Sequence, residues 1–471
     1  MAFPQDEGEI AALVTAASRV LPVGAQSSLT GGATPRGDIV LSTRALTTIG
    51  EVSNGLVRVG AGVPLVTLQR TLATKGWYYP PVPTYDGAFV GGTIATNAAG
   101  AATFKYGSTR SWVDALTIVL ASGDVLDIQR GEATAGDDGR FAIAIPSGGS
   151  LHIPIPTYQM PDVPKLSAGY YARPGMDPID LFIGSEGTLG VVVAATLRVI
   201  PRPRRCLVLL RCEGDEQAIA ITAALRTDAR EAWQGRGTLD VAAIEYMDER
   251  ALRAVPDEAF ARAGVLRPPA GSVLLLLQVE TGSDDETPLA RLAALLDTHG
   301  VTDDPRIAGA DDERGAQRLL DLREAVPASV NAIVAAAKAR VDPGIHKTAG
   351  DMIVPFDRLA DSIALYRSLL EARDLDYAIW GHVSDGNLHP NVVPRSMDDV
   401  ERGHDAILEM ARGVMAMGGA PLAEHGVGRS ALKQRLLREL YGENGIEQMR
   451  AVKRALDPGW KLAPGVLFEP A

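Results

Sequence analysis

Glycine-rich turns between short apolar runs are the feature that most limits how the first 200 residues can fold. The segments GDIVLST, GLVRVGAG, ALTIVLASGDVLDIQ and GVVVAATLRVI each contain apolar runs of strand length bounded by turn residues. The stretches EGEIAALVTAAS and PLVTLQRTLATKG instead repeat apolar residues at helical spacing. This mixture predicts a domain of strands and helices in which glycine loops connect the elements.

The pattern changes after the proline cluster PRPRR, from Pro201 to Arg205. Beyond it, CLVLLRCE and GSVLLLLQVE predict strands, whereas PLARLAALLDTHG and ERGAQRLLDLREAV predict helices. We therefore expect an α+β chain in three parts. The first domain covers residues 1–203, a second domain with an antiparallel sheet covers 204–423, and a helical C-terminal segment covers 424–471.

Charge and composition exclude some partners. The 471 residues have a net charge of −12, and binding to nucleic acid needs clustered Lys and Arg, so we expect no nucleic-acid partner. We find no run of about 18 apolar residues and no basic start of a signal peptide, which predicts no transmembrane segment. Cys206 and Cys212 are too few for an iron–sulfur cluster. We expect a cytoplasmic protein and leave open a peripheral attachment to a membrane.

Three glycine-rich segments have the character of ligand-binding loops. They are PVGAQSSLTGGATP, GGTIATNAAGAATFKYGSTR and DLFIGSEGTLGVVVAATL. Glycines let the backbone approach a ligand closely, and successive N–H groups can surround a pyrophosphate. None of the loops is a Walker A motif, and no G-x-G-x-x-G opens a helix after a strand. Taken singly, each such loop is more often structural than ligand-binding.

Two histidines lie seven residues apart in WGHVSDGNLHPN, in a chain with 7 histidines in all. The residues between them include Ser-Asp-Gly-Asn, which predicts a tight turn with one imidazole on each side. A lone histidine more often caps a turn or pairs with a carboxylate than binds a metal.

Together and in this order, the motifs resemble a known family. VGAQSSLTGG, GGTIATNAAG, KYGSTRSWVDAL and DLFIGSEGTLGV resemble the flavin-binding domain of the vanillyl-alcohol oxidase / p-cresol methylhydroxylase superfamily. GHVSDGNLHPN, EHGVG and MRAVKRALDP resemble its branch of D-lactate dehydrogenases, D-2-hydroxyglutarate dehydrogenases and glycolate oxidase flavoprotein subunits. The resemblance covers nearly the whole chain. It implies a two-subdomain FAD-binding domain, an α+β cap domain over the isoalloxazine, and a C-terminal tail that returns to the FAD domain.

The resemblance implies FAD, with its pyrophosphate in the first two glycine loops. Covalent attachment in this superfamily commonly uses a His, Tyr or Cys of the flavin domain. Because no His precedes His152 and no Cys precedes Cys206, we expect non-covalent FAD. We assign no flavin contact to the tail, where the usual Asn-Pro-Gly-Lys is replaced by Ala-Pro-Gly-Val. The residues expected to contact FAD are Gly24, Ala25, Gln26, Ser27, Ser28, Thr30, Pro83, Gly91, Gly92, Thr93, Asn97, Gly107, Ser108, Glu186, Gly187 and Gly190.

The resemblance also implies a divalent metal held by His382, His389 and Glu424. Nitrogen and oxygen donors suit Zn²⁺ or Mn²⁺ better than Ca²⁺. A metal that binds the hydroxyl and carboxylate oxygens of a 2-hydroxy acid would lower the pKa of the hydroxyl, and a neighbouring base would take the proton. His425, next to Glu424 in EHGVG, is the expected base.

A carboxylate substrate needs cations, and two match positions where relatives bind substrate. Arg323 can hold a carboxylate through two parallel hydrogen bonds. For Lys347, a surface salt bridge is about as plausible an assignment as substrate binding. Asn391, two residues beyond His389, would face the same way on a strand and hold a substrate oxygen.

The leading hypothesis is FAD-dependent oxidation of a D-2-hydroxy acid of the lactate, glycolate or 2-hydroxyglutarate class to the 2-keto acid, by hydride transfer to flavin N5. One alternative is an FAD-binding subunit of a multi-subunit complex similar to glycolate oxidase. Another is a flavin oxidase that passes electrons from a different alcohol to O₂. Without cluster-forming cysteines, electrons would leave the flavin for a quinone, a cytochrome, a partner protein or O₂.

Overall fold

The computed structural model describes residues 1–81, 83 and 85–470. The chain folds into two α+β halves that share an interface. The first half contains the elements up to Pro201, and the second contains those from Arg204 onward, so the expected α+β class is confirmed. Lys105 of the first half forms ion pairs with Asp240 and Glu280 of the second. None of the helices in the described ranges combines the length and apolar character needed to cross a bilayer.

Short strands and glycine turns build the first half. Its elements are α1 (Glu7–Ala16), β1 (Val20–Val23), β2 (Ile39–Ser42), β3 (Leu56–Gly60), α2 (Leu65–Ala73), β4 (Trp77–Tyr78), α3 (Val90–Ala95), α4 (Thr103–Tyr106), β5 (Val113–Val119), β6 (Val125–Gln129), β7 (Arg140–Ala144), β8 (Ser150–Pro154), α5 (Ile179–Phe182), β9 (Val191–Arg198) and β10 (Ile200–Pro201). β1 and β2 pair in parallel, and β3, β9, β5 and β6 form an antiparallel sheet in that order. Each strand that the sequence predicts here is present.

The first helix shows how local sequence fixes this half. Asp6 begins α1 by accepting a hydrogen bond from the backbone N–H of Glu9. Ile10 and Val14, one turn apart, are both fully buried against β1 and β2. The N-cap residue and the spacing of the apolar residues therefore both favour this helix.

A large antiparallel sheet dominates the second half. Its elements are β11 (Arg204–Cys212), α6 (Asp215–Trp233), β12 (Asp240–Met247), α7 (Glu249–Ala254), α8 (Asp257–Ala263), β13 (Val273–Thr281), α9 (Glu286–Thr298), β14 (Arg306–Ala308), α10 (Glu313–Arg340), β15 (Thr348–Ala349), β16 (Met352–Ile353), α11 (Leu359–Glu371), β17 (Tyr377–His382), β18 (Asn387–Val392), α12 (Met397–Ala416) and α13 (Ala431–Leu456). The strand order is β14-β11-β13-β12-β17-β18-β15, and β16 also pairs with β18. The predicted antiparallel sheet is confirmed.

Helices cover both faces of this sheet. The long α10 packs with α7 and α8 on one face, while α6, α9, α11 and α12 lie on the other. The central strands are consequently apolar on both sides, and Cys206 and Cys212 of β11 are both buried. A charged residue inside such a strand therefore needs a specific partner.

The C-terminal tail packs against the first half. The N–H of Val20 donates to the carbonyl of Lys461 at 2.8 Å, and the N–H of Ala463 donates to the carbonyl of Val20 at 2.7 Å. Leu462 is buried with Ile10 and Val14. The last residues therefore add a short bridged segment beside β1.

Candidate active site

The two histidines of WGHVSDGNLHPN lie on adjacent strands. His382 ends β17, His389 lies in the middle of β18, and the turn between them contains Gly386 with a φ of +83°. Glycine adopts this left-handed conformation without strain, and a Cβ here would collide with the carbonyl of Val354. The imidazole rings meet edge to face with their centroids 5.7 Å apart. The predicted turn is confirmed and brings both rings to one place.

One oxygen of Glu424 is the meeting point of three imidazoles. Its Oε1 atom lies 3.3 Å from Nε2 of His382, 3.3 Å from Nε2 of His389 and 3.7 Å from Nε2 of His425. The rings of His389 and His425 stack with their centroids 5.0 Å apart. The four residues that the family resemblance singles out are therefore neighbours in space.

Asp351 holds the backbone of the segment that contains Glu424 and His425. Its Oδ2 atom accepts hydrogen bonds from the N–H groups of both residues, at 3.0 and 2.8 Å. Oδ1 lies 3.8 Å from Nδ1 of His389. Because Asp351 immediately precedes β16, which pairs with β18, the sheet itself determines where this carboxylate lies.

Buried charges in the site stabilise one another. Burial opposes the charge of His382, but the Glu245 carboxylate outweighs this and raises its pKa to about 9. Burial alone would raise the pKa of Glu424, yet Lys165 and His382 hold it well below its ordinary value. Burial lowers the pKa of His425 to about 4 despite the nearby Asp351 carboxylate. His425 is therefore neutral at pH 7 and can accept a proton.

The donor set suits a divalent metal. His382 directs Nε2 toward Glu424 while its Nδ1 lies 2.7 Å from Oε1 of Glu245, the arrangement in which a carboxylate orients a metal-binding histidine. Asp351, His389, Glu424 and His425 also have ligand atoms within 4.8 Å of one another. His382 lies outside that group of four, so His389 and Glu424 are common to it and to the predicted set. Two imidazole nitrogens and a carboxylate oxygen are donors that Zn²⁺ and Mn²⁺ accept.

The two predicted substrate cations, Arg323 and Lys347, have different surroundings. Arg323 on α10 is 6% exposed, and its guanidinium binds Glu245 at 2.9 Å and Glu324 at 3.1 Å. Lys347 is half-buried, with Nζ 5.7 Å from the centroid of the Trp380 ring. Among the described residues, Lys347 has no carboxylate partner.

Lys347 lies on the same side of the sheet as the histidines. Trp380 of β17 is the direct cross-strand neighbour of His389. The predicted Asn391 lies beside them on β18 and donates from Nδ2 to the carbonyl of His389 at 2.6 Å. The region around Trp380 therefore contains an ammonium group close to the site.

The first glycine loop contacts the segment that follows His425. The N–H of Arg429 donates to the carbonyl of Thr30 at 3.0 Å. Gly428 has a φ of +59°, and a Cβ there would collide with Thr30. This close approach requires glycine. The first glycine loop therefore contacts the chain four residues after His425, the expected proton acceptor.

The third glycine loop binds the segment after His425 through Glu186. The carboxylate of this half-buried residue accepts hydrogen bonds from the N–H groups of Val427 at 2.7 Å and Gly428 at 2.9 Å. Burial raises the pKa of Glu186 to about 7 in spite of these two bonds. The structure shows Glu186 connecting the two halves, and its contact with FAD stays a prediction.

The other residues predicted to contact FAD differ in their burial and in their neighbours. Gly24 lies against Phe89 and Gly92, which places the first two loops side by side. Asn97 accepts a hydrogen bond from the N–H of Arg110 and has a φ of +47°. Gly107 and Gly187 have positive φ, and Gly190 packs against Ile118. The buried members of the set are Thr30, Thr93, Asn97 and Ser108, and the exposed members are Gln26, Ser27 and Ser28. Half-buried positions are Gly24, Ala25 and Pro83. The two neighbours of Pro83 lie outside the described residues.

Sequence reasoning missed four charged residues of the site. Glu245 is a lone carboxylate in the apolar run DVAAIEYM, which is a usable signal for a buried partner. Asp385 lies in WGHVSDGNLHPN and Asp351 lies four residues after Lys347, but only their neighbours are predicted to belong to the site, and Lys165 had no local signal. Long-range contacts give each of them its role, as for Glu245 and His382, which are 137 positions apart.

Two family models match this chain. Residues 220–467 match the family model described as FAD linked oxidases, C-terminal domain, and residues 1–129 match the model described as FAD binding domain. The chain belongs to the FAD-linked oxidases. The expected FAD cofactor and the suspected family are therefore confirmed, and this FAD-linked oxidase is an oxidoreductase.

Several curated relatives cover almost all of this FAD-linked oxidase. It is 29% identical to "Glycolate oxidase subunit GlcD" of Bacillus subtilis, over 99% of this chain and 88% of that one. It is 29% identical to "D-2-hydroxyglutarate dehydrogenase" of Xanthomonas citri, over 100% and 89%. It is 27% identical to "D-lactate dehydrogenase" of Archaeoglobus fulgidus, over 98% and 89%.

A solved structure shows the same fold. Alkyldihydroxyacetonephosphate synthase superimposes with a TM-score of 0.64 over 98% of this chain and 75% of that one, at 13% identity. This likeness extends the fold assignment to the whole FAD-linked oxidase, and at this identity it concerns the fold alone.

Proposed function

We propose that this FAD-linked oxidase converts a D-2-hydroxy acid to the 2-keto acid with the help of a divalent metal. The observation that supports this most directly is the convergence of His382, His389 and His425 on Oε1 of Glu424. The three relatives named above are called after lactate, glycolate and 2-hydroxyglutarate, all 2-hydroxy acids.

Each group has a distinct task in this proposal. His382, His389 and Glu424 hold the metal, which when bound supplies positive charge that favours ionisation of a nearby hydroxyl. Glu245 fixes the ring of His382 so that Nε2 faces Glu424. FAD, when bound, supplies the acceptor for the hydride removed from the substrate.

His425 accepts the hydroxyl proton at Nε2. Its ring is 28% exposed, unlike the buried rings of His382 and His389, so it can reach a ligand that enters the site. The backbone of His425 is fixed by Asp351 and, two residues later, by Glu186 of the flavin half. The base is consequently held between the metal site and the glycine loops.

Lys347 binds the substrate carboxylate. Its ammonium group has no competing carboxylate among the described residues, and burial lowers its pKa, which a bound carboxylate would reverse. Asn391 on β18 pairs with Ala349, two residues after Lys347, and is a further candidate for a substrate oxygen. Arg323 stays a prediction as a second anchor, since Glu245 and Glu324 already occupy its guanidinium.

A second candidate is the flavin subunit of a larger complex. It is favoured by the relative whose name describes a subunit, which this chain matches over 99% of its own length. In that case the purified chain would reduce its FAD with a hydroxy acid but pass electrons on slowly without its partners. Reaction with O₂ in the absence of any other acceptor would instead favour the flavin-oxidase alternative.

The test separates holding the metal from moving the proton. His382→Ala, His389→Ala and Glu424→Ala should each lower metal content and anaerobic flavin-reduction rate together. His425→Ala should slow flavin reduction by about 10²–10⁴-fold with the metal retained. Metal is measured by elemental analysis, and lactate, glycolate, 2-hydroxyglutarate and bulkier 2-hydroxy acids are screened as both enantiomers.

His346→Ala is the matched control, because this exposed histidine lies outside the cluster. It should leave metal content and rate unchanged. The metal assignment would be wrong if the wild-type protein carried no divalent metal and reduced its FAD equally fast after chelation. Near wild-type reduction in His425→Ala would remove the base assignment alone.

A further inference from the structure

Lys165 is a buried lysine of the first half that contacts two carboxylates of the second half. It is 2% exposed and belongs to the irregular segment between β8 and α5. Its Nζ atom lies 2.7 Å from Oε2 of Glu424 and 3.2 Å from Oδ2 of Asp385. A buried ammonium group needs such partners, because an unpaired charge is costly in a protein interior.

The two oxygens of Glu424 consequently face different groups. Oε2 accepts a hydrogen bond from Lys165, whereas Oε1 faces the Nε2 atoms of His382 and His389. The hydrogen bond from the ammonium group to Oε2 favours binding of a metal through Oε1, the oxygen that lies beside the two imidazole nitrogens. The lysine therefore determines how Glu424 can coordinate.

The backbone around Lys165 is fixed to both halves. Asn97 donates to the carbonyl of Leu166 at 3.3 Å, and Ser167 Oγ donates to the carbonyl of Thr96 at 2.8 Å. The N–H of Ser167 donates to the carbonyl of Leu422, two residues before Glu424, at 3.2 Å. The segment thus joins the second glycine loop to the irregular segment that leads to Glu424.

We propose that Lys165 is a positioning residue that holds Glu424 as a one-oxygen metal ligand and fixes its place relative to the flavin loop. The proposal rests on the metal site of the proposed function. Lys165 contacts neither the substrate nor the reacting atoms in this role. It acts through Glu424, and Asp385 balances its remaining charge.

The test compares Co²⁺ binding in the FAD-loaded protein. Lys165→Met keeps most of the side-chain length and removes the charge, so Oε2 of Glu424 is released to bind the metal as well. The higher coordination number should weaken the visible Co²⁺ absorption. The Co²⁺ dissociation constant is measured beside the spectrum, so that both proteins are compared at full metal occupancy.

Lys453→Met is the matched control. Lys453 is also 2% exposed and also pairs with an aspartate, Asp457, but it lies on α13 and contacts none of the metal-site residues. This variant should keep the wild-type Co²⁺ spectrum and dissociation constant. Lys165→Gln, which retains a hydrogen-bond donor without the charge, repeats the measurement if Lys165→Met does not fold.

Each outcome decides a separate point. An unchanged spectrum of the fully metal-loaded Lys165→Met protein would overturn the positioning role and leave the metal site in place. Loss of folding in both Lys165 variants, with Lys453→Met folded, would also overturn it, because Lys165 would then serve stability alone. Wild-type protein that binds no Co²⁺ would remove the metal site, and the lysine proposal with it.

Discussion

Nδ1 of His382 lies 2.7 Å from Oε1 of Glu245, its direct cross-strand neighbour in the pairing of β12 with β17. This bond turns the other ring nitrogen toward Glu424. The sheet register therefore sets the orientation of a proposed metal ligand, since neither residue can move without disturbing both strands.

We expect Glu245→Gln to weaken metal binding by about 10–100-fold, because a neutral amide orients and polarises the His382 ring less well than a carboxylate. The measurement is the dissociation constant for Zn²⁺ or Mn²⁺ in competition with a chelating dye. Glu324→Gln is the control, since Glu324 also pairs with Arg323 but has no contact with His382. Equal affinities in all three proteins would contradict the role of Glu245.

We expect Lys347→Met to raise the KM for the preferred 2-hydroxy acid by roughly 10–100-fold, the loss of one hydrogen bond between charged groups. Metal and FAD content should not change. The exposed Lys338 provides a control, and Lys338→Met should keep the wild-type KM. A KM that is unaffected in Lys347→Met would exclude this lysine as the carboxylate anchor.

Arg323→Lys separates two roles of the arginine. The substitution keeps a positive charge and removes the planar fork. If Arg323 binds substrate, we expect a higher KM with the metal retained. If it only holds Glu245, we expect metal affinity to fall instead, as in Glu245→Gln. Steady-state kinetics beside metal titration distinguish the two, and wild-type values in both would leave Arg323 with neither role.

We expect the FAD to be released by acid precipitation. The first half contains neither a cysteine nor a histidine before His152, so the usual attachment residues are few. The yellow chromophore should appear in the supernatant of trichloroacetic acid-treated protein. A precipitate that keeps the flavin fluorescence would show a covalent bond, with a tyrosine as the remaining candidate.

We expect a pH-dependent stability from Asp248. Its side chain is fully buried, and burial raises its pKa to about 6, although Oδ1 accepts hydrogen bonds from Ala251 and Ile379. A carboxyl group whose folded pKa exceeds its unfolded pKa of about 4 stabilises the fold below pH 4, and this contribution is lost as the pH rises through 6.

Asp248→Asn keeps the Oδ1 acceptor and cannot ionise. Relative to wild type, the variant should therefore gain up to about 2 kcal/mol between pH 4 and pH 8. The apparent melting temperatures of both proteins across this range provide the measurement. A constant difference between them at all pH values would show that Asp248 does not ionise in the folded protein.

Local sequence signals were sufficient for most of the fold. The glycine turns, the strand pattern and the turn at Gly386 each depend on residues close together in the chain. The pairing of the two histidines followed from that turn. These features are predictable because the forces that fix them act within a few residues.

The charged partners of the site were not predictable in the same way. Asp351 binds backbone N–H groups 73 and 74 positions away, and Lys165 binds a carboxylate 259 positions away. For Arg323 we predict a substrate contact, and nothing in the sequence indicated its ion pairs with Glu245 and Glu324. A single sequence shows that a charge exists but does not show which distant group neutralises it.

The bridge between Val20 and Leu462 has a consequence for biosynthesis. Domains generally fold as they leave the ribosome, at about 5–20 residues per second. Residue 462 therefore emerges roughly 20 to 90 s after residue 20 at these rates. Until then Ile10 and Val14 lack the apolar cover that Leu462 provides. The flavin half is thus the first part of the chain to be synthesised and among the last to be completed.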